Sequence, residues 1–261
     1  MMAELLASFN PGWVHSKDAL CMSDSLAELL KFYVWGTPCE GVSSSGVMMR
    51  KRGWRKDVWK SAHLRTYLLS VANLRNGGTY KKAKTIESMT DAAIEVGLGS
   101  RTFHTLRDCN RVVFYSDGSH PEILSIFYYI RCAFAHGRFE IYCKEGSPSV
   151  YVLEAVQKKK GTKECSVRAR MVVLEETLLT WKDVLTEGPS NLKSRMDELS
   201  DSIRRDIIKT LSGITLQKKK GIVDALPYED RLVYSELRKL KEEGIVEYSQ
   251  KQWRLVGGDS T

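Results

Sequence analysis

Two residue types capable of phosphate chemistry stand close together near the middle of the chain. In the stretch YYIRCAFAHGRFEI, Arg131 is followed after four residues by His136, then by Gly137 and Arg138. A guanidinium forks onto phosphate oxygens, and an imidazole moves a proton near neutral pH. Together they supply a phosphate clamp and general acid–base catalysis. At 3.6 residues per turn, positions five apart differ by about 140°, so one ideal helix does not line them up. They converge if the last turn loosens at Gly137, or if two copies of the helix pack across a two-fold axis. The alternative is structural: His136 caps the helix and Arg131 pairs with Glu122, Glu140 or another acidic side chain. The chain has no Cys-x-x-Cys pair and no carboxylate cluster. Neither a metal site nor a cofactor is expected.

The element that positions these residues is a long apolar helix. Ser119, His120, Pro121 and Glu122 form a helix start, with the serine as cap. Ile123, Leu124, Ile126, Phe127 and Ile130 then make it apolar around most of its surface. Such a helix belongs at the centre of a bundle or at a subunit interface. Upstream, periodicity predicts helices over residues 23–35, 59–74, 83–96 and 102–113, with a loop over 39–46. The last two helices flank a Gly97-Leu98-Gly99 turn and mimic a helix-turn-helix presenting Arg101, His104 and Arg107. A basic segment with Arg50, Lys51, Arg52, Arg55 and Lys56 surrounds Trp54 and Trp59. It either meets phosphate and bases or is a solvated loop whose tryptophans pack inward. Short strands are expected over 139–143, 150–156 and 167–173, forming a small antiparallel sheet beside the bundle. A helix over 175–185 closes the domain.

Composition shifts at Thr186-Glu187-Gly188-Pro189-Ser190-Asn191, which marks a domain boundary. Beyond it come helices over 202–211, 219–226 and 228–243, then a hairpin from 245–248 and 252–256. The stretch LVYSELRKLKEEGIVEYSQKQWRL resembles a winged helix-turn-helix. That resemblance implies a third helix entering the major groove with Arg231, Ser235, Arg238 and Lys239. It also implies backbone phosphate contacts from Lys218, Lys219 and Lys220. The same helix carries Glu229, Asp230, Glu236, Glu242 and Glu243, so its charge is mixed. Winged helices also serve as protein contacts.

The net charge of +8 favours an anionic partner. No apolar run reaches the ~18 residues of a membrane span, so no membrane partner is expected. The N-terminus lacks a basic region before its apolar residues and does not suit a signal peptide. Six scattered cysteines suit a reducing compartment, and a cytoplasmic location is expected.

The element RCAFAH, near the end of a long helix and followed by strand-like FEIY, resembles the R-x4-H signature of the HEPN superfamily. The resemblance implies a HEPN-like helical bundle with a β insertion over residues 1–187, followed by the winged helix-turn-helix over 192–257. The expected fold class is mainly α with small β elements. It also implies a homodimer, and a metal-independent endoribonuclease of a toxin–antitoxin or antiviral defence system. Arg131 and His136 would be catalytic, with Arg138 adding positive charge. The ribose 2′-OH would attack its own phosphate and leave a 2′,3′-cyclic end. RNA is then the substrate, DNA a possible ligand of the winged helix, and an antitoxin or regulatory protein a possible partner. Active members often carry asparagine after the arginine; here that residue is Cys132, a weak donor. His104, Arg107 and Tyr129 are further candidates near the site. The alternative is a non-catalytic DNA-binding transcriptional regulator whose helical domain dimerises or senses a ligand.

Overall fold

The computed structural model describes residues 11–14, 23–36, 52–99, 109–118, 120–143, 149–158, 161, 164–212, 218–249 and 251–256. The expected loop over 39–46, the capping Ser119 and the residues Arg50, Lys51, Arg101, His104 and Arg107 lie outside them. Two compact units divide the chain, Met1–Asn191 and Leu192–Thr261.

The first unit is built on a sheet. Its strands are β1 (Tyr80–Ala83), β2 (Arg111–Tyr115), β3 (Phe139–Tyr142), β4 (Val150–Lys158) and β5 (Cys165–Leu174), in the order β1-β2-β5-β4-β3. The β1–β2 pair is parallel and every other pair antiparallel. Helices α1 (Asp24–Leu30, extended by a π turn over Lys31–Trp35), α2 (Lys56–Trp59), α3 (Ala62–Val71), α4 (Met89–Glu95), α5 (Glu122–Ala135) and α6 (Glu175–Glu187) surround it. About 52% of the described residues are helical and 21% strand, so the mainly α expectation is corrected to an α/β fold with a five-stranded mixed sheet. The helix expected over 83–96 begins only at Met89, and Tyr80–Ala83 is a strand. In the region read as helix 102–113, Arg111–Tyr115 is a strand instead. Its sequence RVVFY is β-branched and aromatic, which suits a pleated, buried surface.

Both faces of the sheet are covered. Trp13, Met89, Ala92 and Ala93 pack with Val113, Val152 and Val172 on one face. Tyr151 alternates with Val152 and meets Phe134 of α5 on the other, their rings 6.1 Å apart. Burial on both faces removes the polar–apolar alternation that would announce these strands. Ile126, Phe127, Ile130, Ala133 and Phe134 bury the apolar side of α5. Phe127 stacks near Tyr33 and Trp181, each at 5.9 Å. That apolar surface is therefore consumed within the unit, against the sheet and α6. Trp54 and Trp59 also pack inward, and the Trp54 indole N–H donates to the Leu185 carbonyl at 2.7 Å.

The second unit contains α7 (Leu192–Ser212), α8 (Lys219–Ala225), α9 (Asp230–Glu242) and a hairpin of β6 (Val246–Ser249) and β7 (Gln252–Leu255). Helix α7 begins ten residues earlier than the expected helix start at residue 202. Leu199, Ile203, Ile207 and Leu211 make its inner stripe, and Val233, Leu237 and Leu240 of α9 are fully buried with it. Arg204 grips Glu243 with both Nη atoms, and the Tyr228 hydroxyl donates to Asp206 at 2.7 Å.

Candidate functional site

Along α5, Leu124, Tyr128, Cys132 and His136 recur every four residues and so share one helical face. Twelve residues at 1.5 Å each carry this stripe about 18 Å. It forms one wall of a cavity of about 570 Å³. Tyr115, Ser116 and Asp117 after β2, Ala155 to Lys158 of β4, and Arg168 of β5 supply the opposite wall. His120 stands at one end and His136 toward the other.

His136 is exposed at the C-cap of α5, where its N–H donates to the Cys132 carbonyl at 3.1 Å. Gly137 follows at φ +62, and the Arg138 N–H reaches back to the Ala133 carbonyl at 2.8 Å. This is a glycine-terminated helix end, which leaves the imidazole side chain at the cavity mouth rather than folded onto the carbonyls.

Arg131 is placed differently. It is half-buried, with Nε shut off from solvent, and it is not among the residues lining the cavity. The helix stays regular through Ala135, so the angular offset between positions five apart persists. Arg131 instead hydrogen-bonds the Cys132 thiol, as does Tyr128. Burial raises the Cys132 pKa, and those two hydrogen bonds and the Arg131 charge only partly offset it, so the thiol stays neutral near pH 7. Tyr129 also lines the cavity, but its hydroxyl donates to the Tyr115 carbonyl at 2.9 Å. Burial drives its pKa well above the ordinary value, so it is a fixed donor and not a base.

Arg138 lies 3.6 Å from Glu154, which is wholly buried. Glu154 in turn pairs with buried Arg170 at 3.2 Å and accepts the Gly12 N–H at 2.9 Å. The Arg138 head is therefore drawn toward an internal carboxylate while staying partly exposed.

Arg168 is the residue that sequence reasoning missed. In β5, strict alternation would put Arg168 and Arg170 on the same face of the sheet. The register shifts here: Ala155 pairs with Ala169 but Val156 pairs with Val167. Arg168 is the extra residue of a β-bulge, and the bulge turns it to the opposite face from Arg170. Its guanidinium lies over the Tyr115 ring, 4.8 Å from the centroid. Among the described residues it makes no ion pair or hydrogen bond, and its Nε is shielded from solvent. Two arginines within the apolar run VRARMVV were the signal available in the sequence.

In the second unit, Lys219, Arg231, Ser235 and Arg238 line one concavity of about 490 Å³ with Tyr234, Lys241 and Trp253. Lys219 Nζ sits 3.6 Å from the centre of the Tyr234 ring. Lys239 points elsewhere and pairs with Glu236 at 2.7 Å. Glu236 itself is turned inward, 4% exposed, so its charge does not face a ligand on this side. Lys218 and Lys220 are exposed but do not line the concavity.

Among the described residues, no group of three or more His, Cys, Asp or Glu side chains is placed to hold a metal ion. No helix among them is long and apolar enough to cross a membrane. The α5 cavity thus gathers two imidazoles, a guanidinium and an ammonium around aromatic walls, with Asp117 as the carboxylate among them. That arrangement can hold an anion and exchange a proton with it at His136. No family model, no curated protein and no solved structure matches the chain.

Proposed function

We propose that the chain is a metal-independent endoribonuclease acting in the cytoplasm, within a toxin–antitoxin or antiviral defence system. The observation that carries this reading is the exposed imidazole of His136 at the mouth of a cavity rich in cationic side chains and tyrosines. Neutral His136 takes the proton from a ribose 2′-hydroxyl. The 2′-oxygen bonds to phosphorus while the bond from phosphorus to the 5′-oxygen breaks, and water protonates the departing oxygen. The products are a 2′,3′-cyclic phosphate and a 5′-hydroxyl. Arg131 reaches this wall through Cys132 within one chain; the dimer implied by the R-x4-H resemblance brings in a second copy. Wild-type protein in excess chelator should cleave RNA to 2′,3′-cyclic ends, read by mass spectrometry. His136→Ala should lower the rate at least a hundredfold, the usual worth of a general base. An H136A protein as fast as wild type ends the proposal.

A second reading draws support from the concavity of α8, α9 and β7. It collects Lys219, Arg231, Arg238 and Lys241 while Glu236 faces the core. A winged helix using this face would bind duplex DNA and act as a regulator without cleavage. Each phosphate contact removed lowers the salt slope by about 0.9. R231A/R238A in the full chain should therefore lower the slope by nearly twice that, whereas K239A should change little. The reverse ranking in a filter-binding salt titration would dismiss this face.

A further inference from the structure

We infer that Arg168 forms a phosphate subsite in the middle of the α5 cavity, separate from the phosphate that His136 acts on. The inference deepens the RNA-cleavage reading and rests on it for the nature of the ligand. The bulge in β5 takes a guanidinium that alternation would bury beside Glu154 and aims it into the cavity instead. There it has no counter-ion among the described residues. Its immediate neighbours are the Tyr115 ring beneath it and Tyr129, whose hydroxyl is committed to the Tyr115 carbonyl. Asp117 lines the same wall without pairing with it, and Lys158 adds a second cation. The guanidinium lines the cavity without a counter-ion among those residues, so its charge is left for an entering anion to compensate. The guanidinium carbon rests 4.8 Å from the centre of the Tyr115 ring, a contact that restrains a fork able to bind phosphate bidentately.

Position along the helix separates the two sites. Arg168 lies over Tyr115, whose carbonyl accepts the Tyr129 hydroxyl, and on α5 His136 is seven residues beyond Tyr129, a backbone offset of about 10 Å at the helical rise. Phosphate oxygens lie within ~3 Å of their donors, so over that offset we assign the two residues to different phosphates of one strand. A strand laid along α5 places one phosphate on Arg168 and another at His136, with the exposed ring of Tyr128 as a stacking surface at the Arg168 end. Binding at Arg168 then contributes energy remote from the bond that breaks.

The test uses the full chain and a fluorescein-labelled single-stranded oligoribonucleotide. In the H136A background, adding Arg168→Ala should weaken binding about tenfold or more, the worth of a charged hydrogen bond. It should also lower the salt slope by about 0.7, one phosphate on a single strand. Arg168→Lys should keep the slope and regain only part of the affinity. With His136 present, R168A should cost the oligonucleotide at least tenfold more in kcat/KM than it costs a dinucleotide. Unchanged affinity and slope in H136A/R168A, or equal losses on the two substrates, overturn the subsite. R168Q repeats each measurement should R168A melt early. Absence of RNA cleavage by wild type removes the nuclease reading, while the salt slope still decides whether Arg168 holds a phosphate.

Discussion

At the residue scale, the environment of each titratable group decides what it does. Cys132 carries a raised thiol pKa through burial, partly opposed by Tyr128 and Arg131, while Cys143 and Cys165 are exposed. Only the thiolate reacts. Iodoacetamide at pH 8 should therefore modify Cys143 and Cys165 before Cys132, as followed by peptide mass spectrometry; early loss of the Cys132 thiol would contradict its placement. Glu122 behaves oppositely. Burial pushes its pKa up, but hydrogen bonds from Tyr80, Arg65 and Lys82 prevail and bring it from 4.5 to about 2. A depressed carboxylate pKa stabilises the fold above the unfolded value, and that stability is lost as pH falls through 4.5 toward 2. Allowing for the partial exposure of Glu122, the contribution is about 1–2 kcal/mol. Glu122→Gln should lower stability near pH 7 by that amount and flatten the acid limb of a urea-midpoint-versus-pH curve. The sequence shows Arg131 and His136 but not how they divide. Five positions on a regular helix send one to the cavity and the other to the thiol of Cys132. Arg168 stayed hidden because a bulge is a fault in register, visible in the pairing of β4 with β5 and not in the alternation along either strand.

At the element scale, helices with one apolar stripe were legible and buried strands were not. Residues 228–243 mix charge and leucine at helical spacing, and α9 covers Asp230–Glu242 of them. Strands β4 and β5 were visible as valine-rich runs, although not how central they are. Strand β1 carries only YKKA, too short and too charged to announce itself, and its parallel pairing with β2 depends on a segment thirty residues away. The apolar girth of α5 suggested a bundle because a sequence gives burial but not the kind of partner that buries. Glycines at element ends separate two kinds of constraint. Gly137 at φ +62 has nothing within 4 Å of a would-be Cβ, so Gly137→Ala should cost about 1 kcal/mol from backbone conformation alone. Gly188, at φ +92 and ψ 171, would drive a Cβ to 2.7 Å from the Arg52 carbonyl oxygen. Gly188→Ala should cost more, about 2–3 kcal/mol or above, since that region of backbone space is nearly closed to other residues. Urea denaturation of the two variants tests the ranking, and equal midpoints would refute it.

At the scale of the whole molecule, the two units present separate cationic concavities, one with an imidazole at its mouth and one without. Their mutants should therefore separate: H136A should abolish cleavage and leave duplex binding intact, and R231A/R238A should do the reverse. A single defect shared by both variants would count against this division of labour. Sedimentation equilibrium of the full chain tests the homodimer, and a monomer at micromolar concentration would leave each cavity to act alone. One consequence follows from the strand order of the first unit. Strand β5 is the last of its five to be synthesised, yet it lies between β2 and β4. Until the ribosome has released residue 174, the two half-sheets have no central strand to join them, and Phe127 and Phe134 have no finished wall to lie on. Nascent chains stalled at residue 160 should thus be digested rapidly by a protease and held by chaperones, whereas chains stalled beyond residue 230 should resist. The centre of this sheet is the last part of it that the cell makes.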